Sequence, residues 1–175
     1  MNIKEVIAVI NQMQADGIID RYAIGGAVGA TFYLEPVATL DVDIFVAFQS
    51  GSRSLLVSLA PIFDYLKARG GRMEGEYIVV ADWPIQFLPT GTPLLEEALK
   101  EGVERNVEGI PARVFTAEHL AAIALQTGRA KDKARLLQFI EGGVLDAALF
   151  QSILGRHGLA DAWQKFERQF LRDVS

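Results

Sequence analysis

Apolar residues along this chain recur first at helical spacing and then at the alternating spacing of a β-strand. The first helical set contains five residues: Ile3, Val6, Ile7, Ile10 and Met13. Their spacing of three or four positions predicts an amphipathic helix that ends near Gly17. Residues 21–24 then predict a short strand leading into Gly25 and Gly26, and residues 27–34 predict a second helix that Pro36 closes.

Residues 39–48 alternate between the two faces of a predicted strand. Asp41 and Asp43 fall on one side of it, whereas Val42, Ile44 and Val46 fall on the other. A period of two is the spacing of a β-strand. Because this segment is rich in apolar residues, we expect the strand to lie in the centre of a sheet.

The remaining pattern predicts further strands and then helices only. Residues 55–66 show a helical face, 77–80 and 84–88 a hairpin with Pro84 at a strand start or sheet edge, 93–100 a helix, and 107–115 a strand. Thr116 is expected to cap the next helix. The predicted fold class is α/β (α+β): a mixed sheet flanked by helices over 1–115, followed by a helical C-terminal region over 116–175 that packs on it.

Composition narrows the classes of function. The 175 residues are 50% hydrophobic and 22% charged, contain no cysteine and carry a net charge of −5. Disulfides and thiolate metal sites are therefore excluded, and without a basic face duplex DNA is not an expected partner. The first residues do not form a signal-peptide core and no apolar run approaches ~20 residues, so we expect a cytoplasmic protein without a membrane partner.

Gly25 and Gly26 are candidates for phosphate binding. They separate a predicted strand from a predicted helix, where backbone N–H groups can approach an anion closely and the helix dipole favours negative charge. The alternative interpretation is a plain turn.

Asp41 and Asp43 are candidates for metal binding. Carboxylates two positions apart on a strand project from the same face, only ~7 Å apart along the chain, and repel each other when both are ionised. A divalent cation neutralises both and leaves coordination positions for phosphate oxygens and water. The alternative is that both carboxylates are solvated at a strand end.

A Gly-Gly turn, one intervening helix and an Asp-x-Asp strand together resemble the nucleotidyltransferase superfamily that includes DNA polymerase beta and kanamycin nucleotidyltransferase. The matching residues are Gly25, Gly26, Asp41 and Asp43. The resemblance implies that the glycines line a nucleoside triphosphate, the donor substrate, and that the acids bind Mg²⁺ or Mn²⁺ for catalysis. The run 128–135 is similar to a Lys-Asp segment of the toxin-like, minimal bacterial branch, which implies nucleotide binding by Lys131 or, as second choice, Arg129. A helix start with exposed basic residues, capped by Asp132, is the other interpretation.

The sequence departs from the family at the third carboxylate. Active members usually place an acid on a neighbouring strand, and the matching position here holds Gln86. An amide oxygen ligates a metal only weakly and accepts no proton from a nucleophile. Asp82, Glu74 and Glu76 are alternative acids, but each is expected to be a surface residue.

Two functions remain open. The first is transfer of a nucleoside monophosphate from a triphosphate to a hydroxyl on a small molecule, a protein or an RNA end. The second is a nucleotide-binding or regulatory module, such as a toxin–antitoxin component, that has lost catalysis at Gln86. His119 is expected to pack or cap a helix, His157 to lie in a loop, and the aromatic stripe of Trp163, Phe166 and Phe170 to serve as core or as a homo-oligomer contact.

Overall fold

The computed structural model of the protein describes residues 3–36, 41–48 and 58–172, which form helices around one sheet. The elements are α1 (Ile3–Ala15), β1 (Arg21–Ile24), α2 (Gly26–Ala30), β2 (Val42–Ala47), α3 (Ala60–Lys67), β3 (Arg72–Glu74), β4 (Tyr77–Val80), β5 (Trp83–Pro89), α4 (Pro93–Lys100), β6 (Val103–Val107), β7 (Ile110–Val114), α5 (Ala117–Thr127), α6 (Ala130–Glu141), α7 (Ala147–Arg156) and α8 (Ala160–Phe170). No helix among these is long and apolar enough to span a membrane.

The seven strands form one mixed sheet in the order β3-β4-β5-β2-β1-β7-β6. The central strand β2 pairs antiparallel with β1, where Ile44 lies opposite Ile24, and parallel with β5, where it lies opposite Phe87. This arrangement confirms the predicted fold class and the central position of the aspartate strand. It places the C-terminal end of β1 next to the N-terminal ends of β2 and β5.

Each face of the sheet covers its own apolar core. One core contains the buried faces of α1 and α3 together with Ile24 and Ile44. The other contains Phe45 and Phe115 with residues of α4 to α8. Consecutive residues Ile44 and Phe45 therefore enter opposite cores, as the strand period requires, and each fully buried side chain of this size contributes about 1.5–3 kcal/mol. Because helices after Thr116 share a core with the sheet, the boundary at 115 stays a prediction.

The second predicted helix is shorter than the pattern indicated. It was expected over 27–34, but α2 ends at Ala30 and residues 31–34 form turns. The backbone N–H of Phe32 bonds the carbonyl of Gly29 three residues back, and the Thr31 hydroxyl donates to the Val28 carbonyl. These short-range bonds are mixed with the four-residue bonds of Thr31 to Ala27 and Leu34 to Ala30, so the α-helical ladder is interrupted. Residues 39–40 and 55–57 of two other predicted elements lie outside the described residues.

Two edge strands lack an apolar signature in the sequence. All three residues of β3 are exposed, and β6 has three exposed polar residues at its centre. Each pairs with only one neighbour, β3 with β4 and β6 with β7. Their conformation is decided by that pairing, so periodicity did not reveal them. Pro84 lies near the start of β5, as predicted, yet β5 is an interior strand and not a sheet edge.

A polar cluster around Glu97 joins three helices on the second face. Its carboxylate lies 2.8 Å from His119 Nε2 of α5, 2.9 Å from Arg156 Nε of α7 and 3.1 Å from His157 Nε2. His119 Nδ1 also lies 2.7 Å from the hydroxyl of Thr116, which caps α5. His119 is therefore a packed histidine, one of the two roles predicted for it, and Thr116 is the residue that caps α5.

The Glu97 cluster predicts a pH-dependent stability. Burial of this carboxyl favours its neutral form, but Arg156, His119 and His157 favour the ionised form more strongly and lower the pKa of Glu97 from 4.5 to about 2. The stabilisation is therefore complete above pH 4.5, and it is lost as the pH falls toward about 2. We expect Glu97→Gln to lower the free energy of unfolding at neutral pH and to converge with the wild type in acid, as measured by urea titrations. Glu96→Gln, at an exposed position of the same helix, is the control; a parallel shift at every pH for Glu97→Gln contradicts the assignment.

Candidate active site

A cleft of about 880 Å³ opens where β1, β2 and β5 meet the junction of α5 and α6. Eight of the residues singled out in the sequence line it: Gly26, Asp41, Asp43, Glu76, Gln86, Arg129, Lys131 and Asp132. Gly25 lies directly behind this lining, where its backbone N–H donates to the Asp43 carbonyl at 3.0 Å. The sheet therefore brings together residues that are far apart in sequence, such as Gly25 and Lys131, which are separated by 106 positions.

The two glycines permit close packing against β2. A Cβ on Gly25 would lie 2.6 Å from the Phe45 ring, and a Cβ on Gly26 would overlap the Asp43 carboxylate. Gly26 also has φ +59°, a conformation that side-chain-bearing residues rarely adopt. The turn is thus required by contact with β2. Because α2 has only five residues, the dipole contribution expected from a longer helix is small.

Asp41 and Asp43 lie at the start of the central strand and both line the cleft. Asp41 immediately precedes β2, and Asp43 is its second residue. Burial raises the pKa of Asp43 above its usual range, and the neighbouring Asp41 raises it further, while Lys131, Arg135 and Arg129 partly offset both effects. Burial and Asp41 thus disfavour the ionised form of Asp43, and the three cations at the start of α6 favour it.

Gln86 lies beside Asp43 on the adjacent parallel strand. The pairing register aligns the two residues, and their equal position in the pleat directs both side chains to the same face of the sheet. Tyr77 of β4 and the exposed Glu76 before it also line the cleft. Asp82 and Glu74 do not: Asp82 lies in the β4–β5 turn at φ +65°, and Glu74 forms an ion pair with Arg72 at 3.0 Å.

The basic wall of the cleft is formed by the first turns of α6. Arg129, Lys131 and Arg135 line it. The sequence suggested Asp132 as the helix cap, but α6 begins at Ala130 and Arg129 is in the cap position. The buried Asp132 carboxylate accepts from the Arg129 backbone N–H at 3.3 Å and from its Nε at 2.7 Å. Asp132 also lies 3.9 Å from Arg135, so it orients two of the three cations.

Solved structures share this architecture. An antigenic nucleotidyltransferase-like protein from Paracoccidioides brasiliensis superposes with a TM-score of 0.57 at 15% identity, covering 93% of this chain and 92% of that one. The crystal structure of ANT(2'')-Ia in complex with adenylyl-2''-tobramycin gives 0.54 at 14% identity, over 88% and 95% of the two chains. The chain has a nucleotidyltransferase fold. The solution structure of ANT(2'')-Ia, described as an antibiotic-resistance factor, gives 0.55 at 14% identity, over 95% and 96%. The sequence matches no protein-family model and no curated protein.

The donor groups of this nucleotidyltransferase fold suit a partly hydrated hard cation. Within residues 3–36, 41–48 and 58–172, no group of three or more acidic or histidine residues is arranged to hold a metal. Asp41 and Asp43 could hold such an ion with two carboxylates, and its other coordination positions would be left to phosphate and water. Mg²⁺ is commonly bound in this way, through one or two carboxylates and substrate phosphates.

Sequence reasoning assigned no role in the site to Arg135 or Tyr77, which both line the cleft. Arg135 lies four positions after Lys131, so the helical period alone places both on one face of α6. Glu76, considered only as an alternative acid expected at the surface, lies in the β3–β4 turn, and Tyr77 begins β4. Conversely, both histidines lie in the Glu97 cluster, while Phe166 is buried in the second core with Trp163 and Phe170 packed against it.

The contact between Gly26 and Asp43 predicts a specific loss of stability. A Cβ at Gly26 must displace the Asp43 carboxylate and also adopt positive φ, whereas Gly143, at φ +62°, has open space around it. We expect Gly143→Ala to cost about 1–2 kcal/mol for its backbone conformation and Gly26→Ala about 1–3 kcal/mol more from overpacking. Urea unfolding measures both. Equal losses in the two variants are incompatible with the Gly26–Asp43 contact.

Proposed function

We propose that this protein is a metal-dependent nucleotidyltransferase that moves a nucleoside monophosphate from a nucleoside triphosphate to a hydroxyl group. The observation that carries the proposal is the convergence in one cleft of Asp41 and Asp43, the Gly25–Gly26 turn and the basic wall of α6. The acids attract cations and the basic wall attracts phosphates. A metal–triphosphate complex satisfies both halves of the cleft at once.

The triphosphate is expected to lie between β2 and α6. Lys131 and Arg135 favour negative charge on the side of the cleft opposite the aspartates, and the fork of Arg129 is held in place by Asp132. The Asp43 carboxylate fills the space that a Gly26 side chain would take, so a phosphate at the end of β1 would lie beside this carboxylate, and a bound cation would offset their repulsion. The apolar residues Phe45, Leu88, Leu120 and Ile123 line the same cleft and provide a surface for a nucleobase or for the acceptor.

In the reaction, the acceptor oxygen attacks the α-phosphorus, a new phosphorus–oxygen bond forms, and the bond from this phosphorus to the β-phosphate bridging oxygen breaks. Pyrophosphate leaves with the electron pair of the broken bond. A divalent cation held by Asp41 and Asp43 would supply stabilisation of the charge that develops on the phosphate oxygens. The cations of α6 contribute to the same stabilisation and help retain pyrophosphate until transfer is complete.

The group that can accept the proton of the acceptor hydroxyl differs between this cleft and one with three carboxylates. Gln86 lies beside Asp43 and cannot accept a proton. Glu76 is the remaining acid in the described lining that neither belongs to the aspartate pair nor orients the α6 arginines. The proton therefore passes to Glu76, to water or to the departing pyrophosphate.

A small-molecule hydroxyl is the favoured acceptor class. One structure of similar fold contains adenylyl-2''-tobramycin, an adenylylated small molecule. A net charge of −5 gives no general attraction for RNA. The protein and RNA acceptors, and any role in a toxin–antitoxin pair, remain alternatives.

A nucleotide-binding module without transferase activity is the second candidate. The aligned Gln86 is the observation that favours it, since loss of a general base typically lowers a rate by ~10²–10⁴-fold. On this hypothesis the triphosphate binds in the same cleft but is not turned over.

Metal binding is tested by thermal unfolding in the presence and absence of Mg²⁺. We expect Mg²⁺ to raise the melting temperature of the wild type by binding the folded state, and the double variant Asp41→Asn, Asp43→Asn to lose most of that gain. Asp82→Asn removes an acid outside the cleft and is the control. Equal Mg²⁺-dependent stabilisation in the wild type and the double variant excludes the proposed metal site.

Gln86→Asp separates the two functions. Triphosphate binding is measured by calorimetry with Mg²⁺ or Mn²⁺, and pyrophosphate release is measured with hydroxyl acceptors. For the enzyme, we expect wild-type release that Asp43→Asn abolishes and that Gln86→Asp raises; for the module, the wild type binds without release and only Gln86→Asp gains it. Gln138→Glu adds a carboxylate elsewhere in the same cleft and should not reproduce the gain. A wild type that binds no triphosphate refutes both functions.

A further inference from the structure

A second cleft of about 880 Å³ lies at the opposite end of β1 from the candidate active site. Arg21, at the start of β1, lines this second cleft, whereas Gly25 and Gly26 follow the end of the same strand. Four residues of extended chain separate Arg21 from Gly25 by ~13 Å. The linings of the two clefts share no residue, so occupation of one does not require the other.

The second cleft exists because β1 and β7 separate. The two parallel strands pair at Ile24 and Val114, and the next bond runs from the Phe115 N–H to the Ile24 carbonyl at 3.1 Å. Toward Arg21 the Tyr22 side chain occupies the space between them, and its hydroxyl accepts from the Arg113 backbone N–H at 3.3 Å.

The walls of the second cleft are fixed by hydrogen bonds. The Tyr22 hydroxyl donates to Asn11 Oδ1 at 2.7 Å, and Asn11 Nδ2 donates to the Pro111 carbonyl at 2.8 Å. Gln14 of the same helix donates to the Asp20 carbonyl at 3.0 Å. These bonds tie α1 to both strands that border the opening, so the cleft is preformed.

The lining carries three cations against one acid. Arg21, Lys100 and Arg113 face it, and Glu104 is the acidic residue among them. Within the part of the chain that the structure describes, none of the three cations lies within 4.0 Å of a carboxylate. Glu104 is aligned with Arg113 across the β6–β7 pairing and offsets its charge, so the excess positive charge of the lining lies on Arg21 and Lys100 in a protein with a net charge of −5. An anionic ligand would balance this excess, and arginine forks bind phosphate or carboxylate oxygens in pairs.

We infer that the second cleft binds a small molecule with at least two negative charges on phosphate or carboxylate groups. Arg21, Lys100 and Arg113 bind the charged groups, and the amides of Asn11 and Gln14 offer hydrogen bonds at the α1 wall. The site is independent of the proposed transferase function.

The inference is tested by calorimetry with pyrophosphate and with citrate, in the absence of divalent metal. The protein carries Lys131→Gln and Arg135→Gln, and Arg129 stays bonded to the buried Asp132, so that the basic wall of the first cleft competes little. We expect at least one of the two anions to bind, and Lys100→Gln or Arg21→Gln to weaken that binding at least about tenfold. The anion that binds more tightly identifies the phosphate or carboxylate class.

Arg105→Gln is the matched control. Arg105 is exposed on β6 and outside the second cleft, with its guanidinium 5.6 Å from the Tyr33 ring, and its substitution removes the same charge without touching the lining. Arg113→Gln is a third variant, used if circular dichroism shows that it folds. If it does not fold, the variants of the exposed Arg21 and Lys100 decide the result. Binding of neither anion, or equal weakening by Arg105→Gln, overturns the site.

Discussion

The alignment of β2 with both of its neighbours is the constraint on which the rest of the candidate site depends. Because Ile44 is in register with Ile24 on one side and Phe87 on the other, Gly25 and Gln86 both lie beside Asp43. A slip of one residue in either pairing would move Asp43 to the opposite face, into the core against α1 and α3. The apolar residues that alternate with Asp43, notably Val42 and Ile44, are fully buried and hold this register. The geometry of the cleft is therefore a consequence of core packing on the other face.

Opposing electrostatic effects act on Asp43 in the first cleft. Burial and the nearby Asp41 disfavour ionisation of Asp43, and the cations of α6 oppose both effects. Asp132 is buried and bonds the Arg129 side chain, so an acid within α6 orients the basic wall of the cleft. Such concentrations of charge cost folding free energy and are found where a ligand is expected to resolve them. The Glu97 cluster is the opposite case, because its carboxylate is already satisfied by three basic side chains.

Strand β1 extends from one cleft to the other. It has only four residues, and its two ends border different openings: the Gly-Gly turn faces the aspartates, and Arg21 faces the gap between β1 and β7. The same strand contributes Tyr22 to the hydrogen bonds of the second cleft and Ala23 to the core under α4 and α5. A ligand at either end of β1 would therefore lie next to a strand that is packed against a core on both of its faces.

The sequence by itself determined the elements with strong periodicity and the local chemistry of the site. Helices such as α1 and α4, the central aspartate strand and the Gly25–Gly26 turn follow from spacing and from residues whose backbone preferences are local. The partners of Asp43 were a different matter. Arg135 was recoverable from the helical period, and Glu76 was one of several candidate acids, but only the pairing of β4 with β5 places Glu76 and Tyr77 at the cleft. The second cleft, too, depends on the separation of β1 from β7, and 86 positions of sequence separate the end of β1 at Ile24 from the start of β7 at Ile110. Tertiary structure alone decided these features, because pairing between distant strands depends on how the whole sheet packs and not on the residues of either strand.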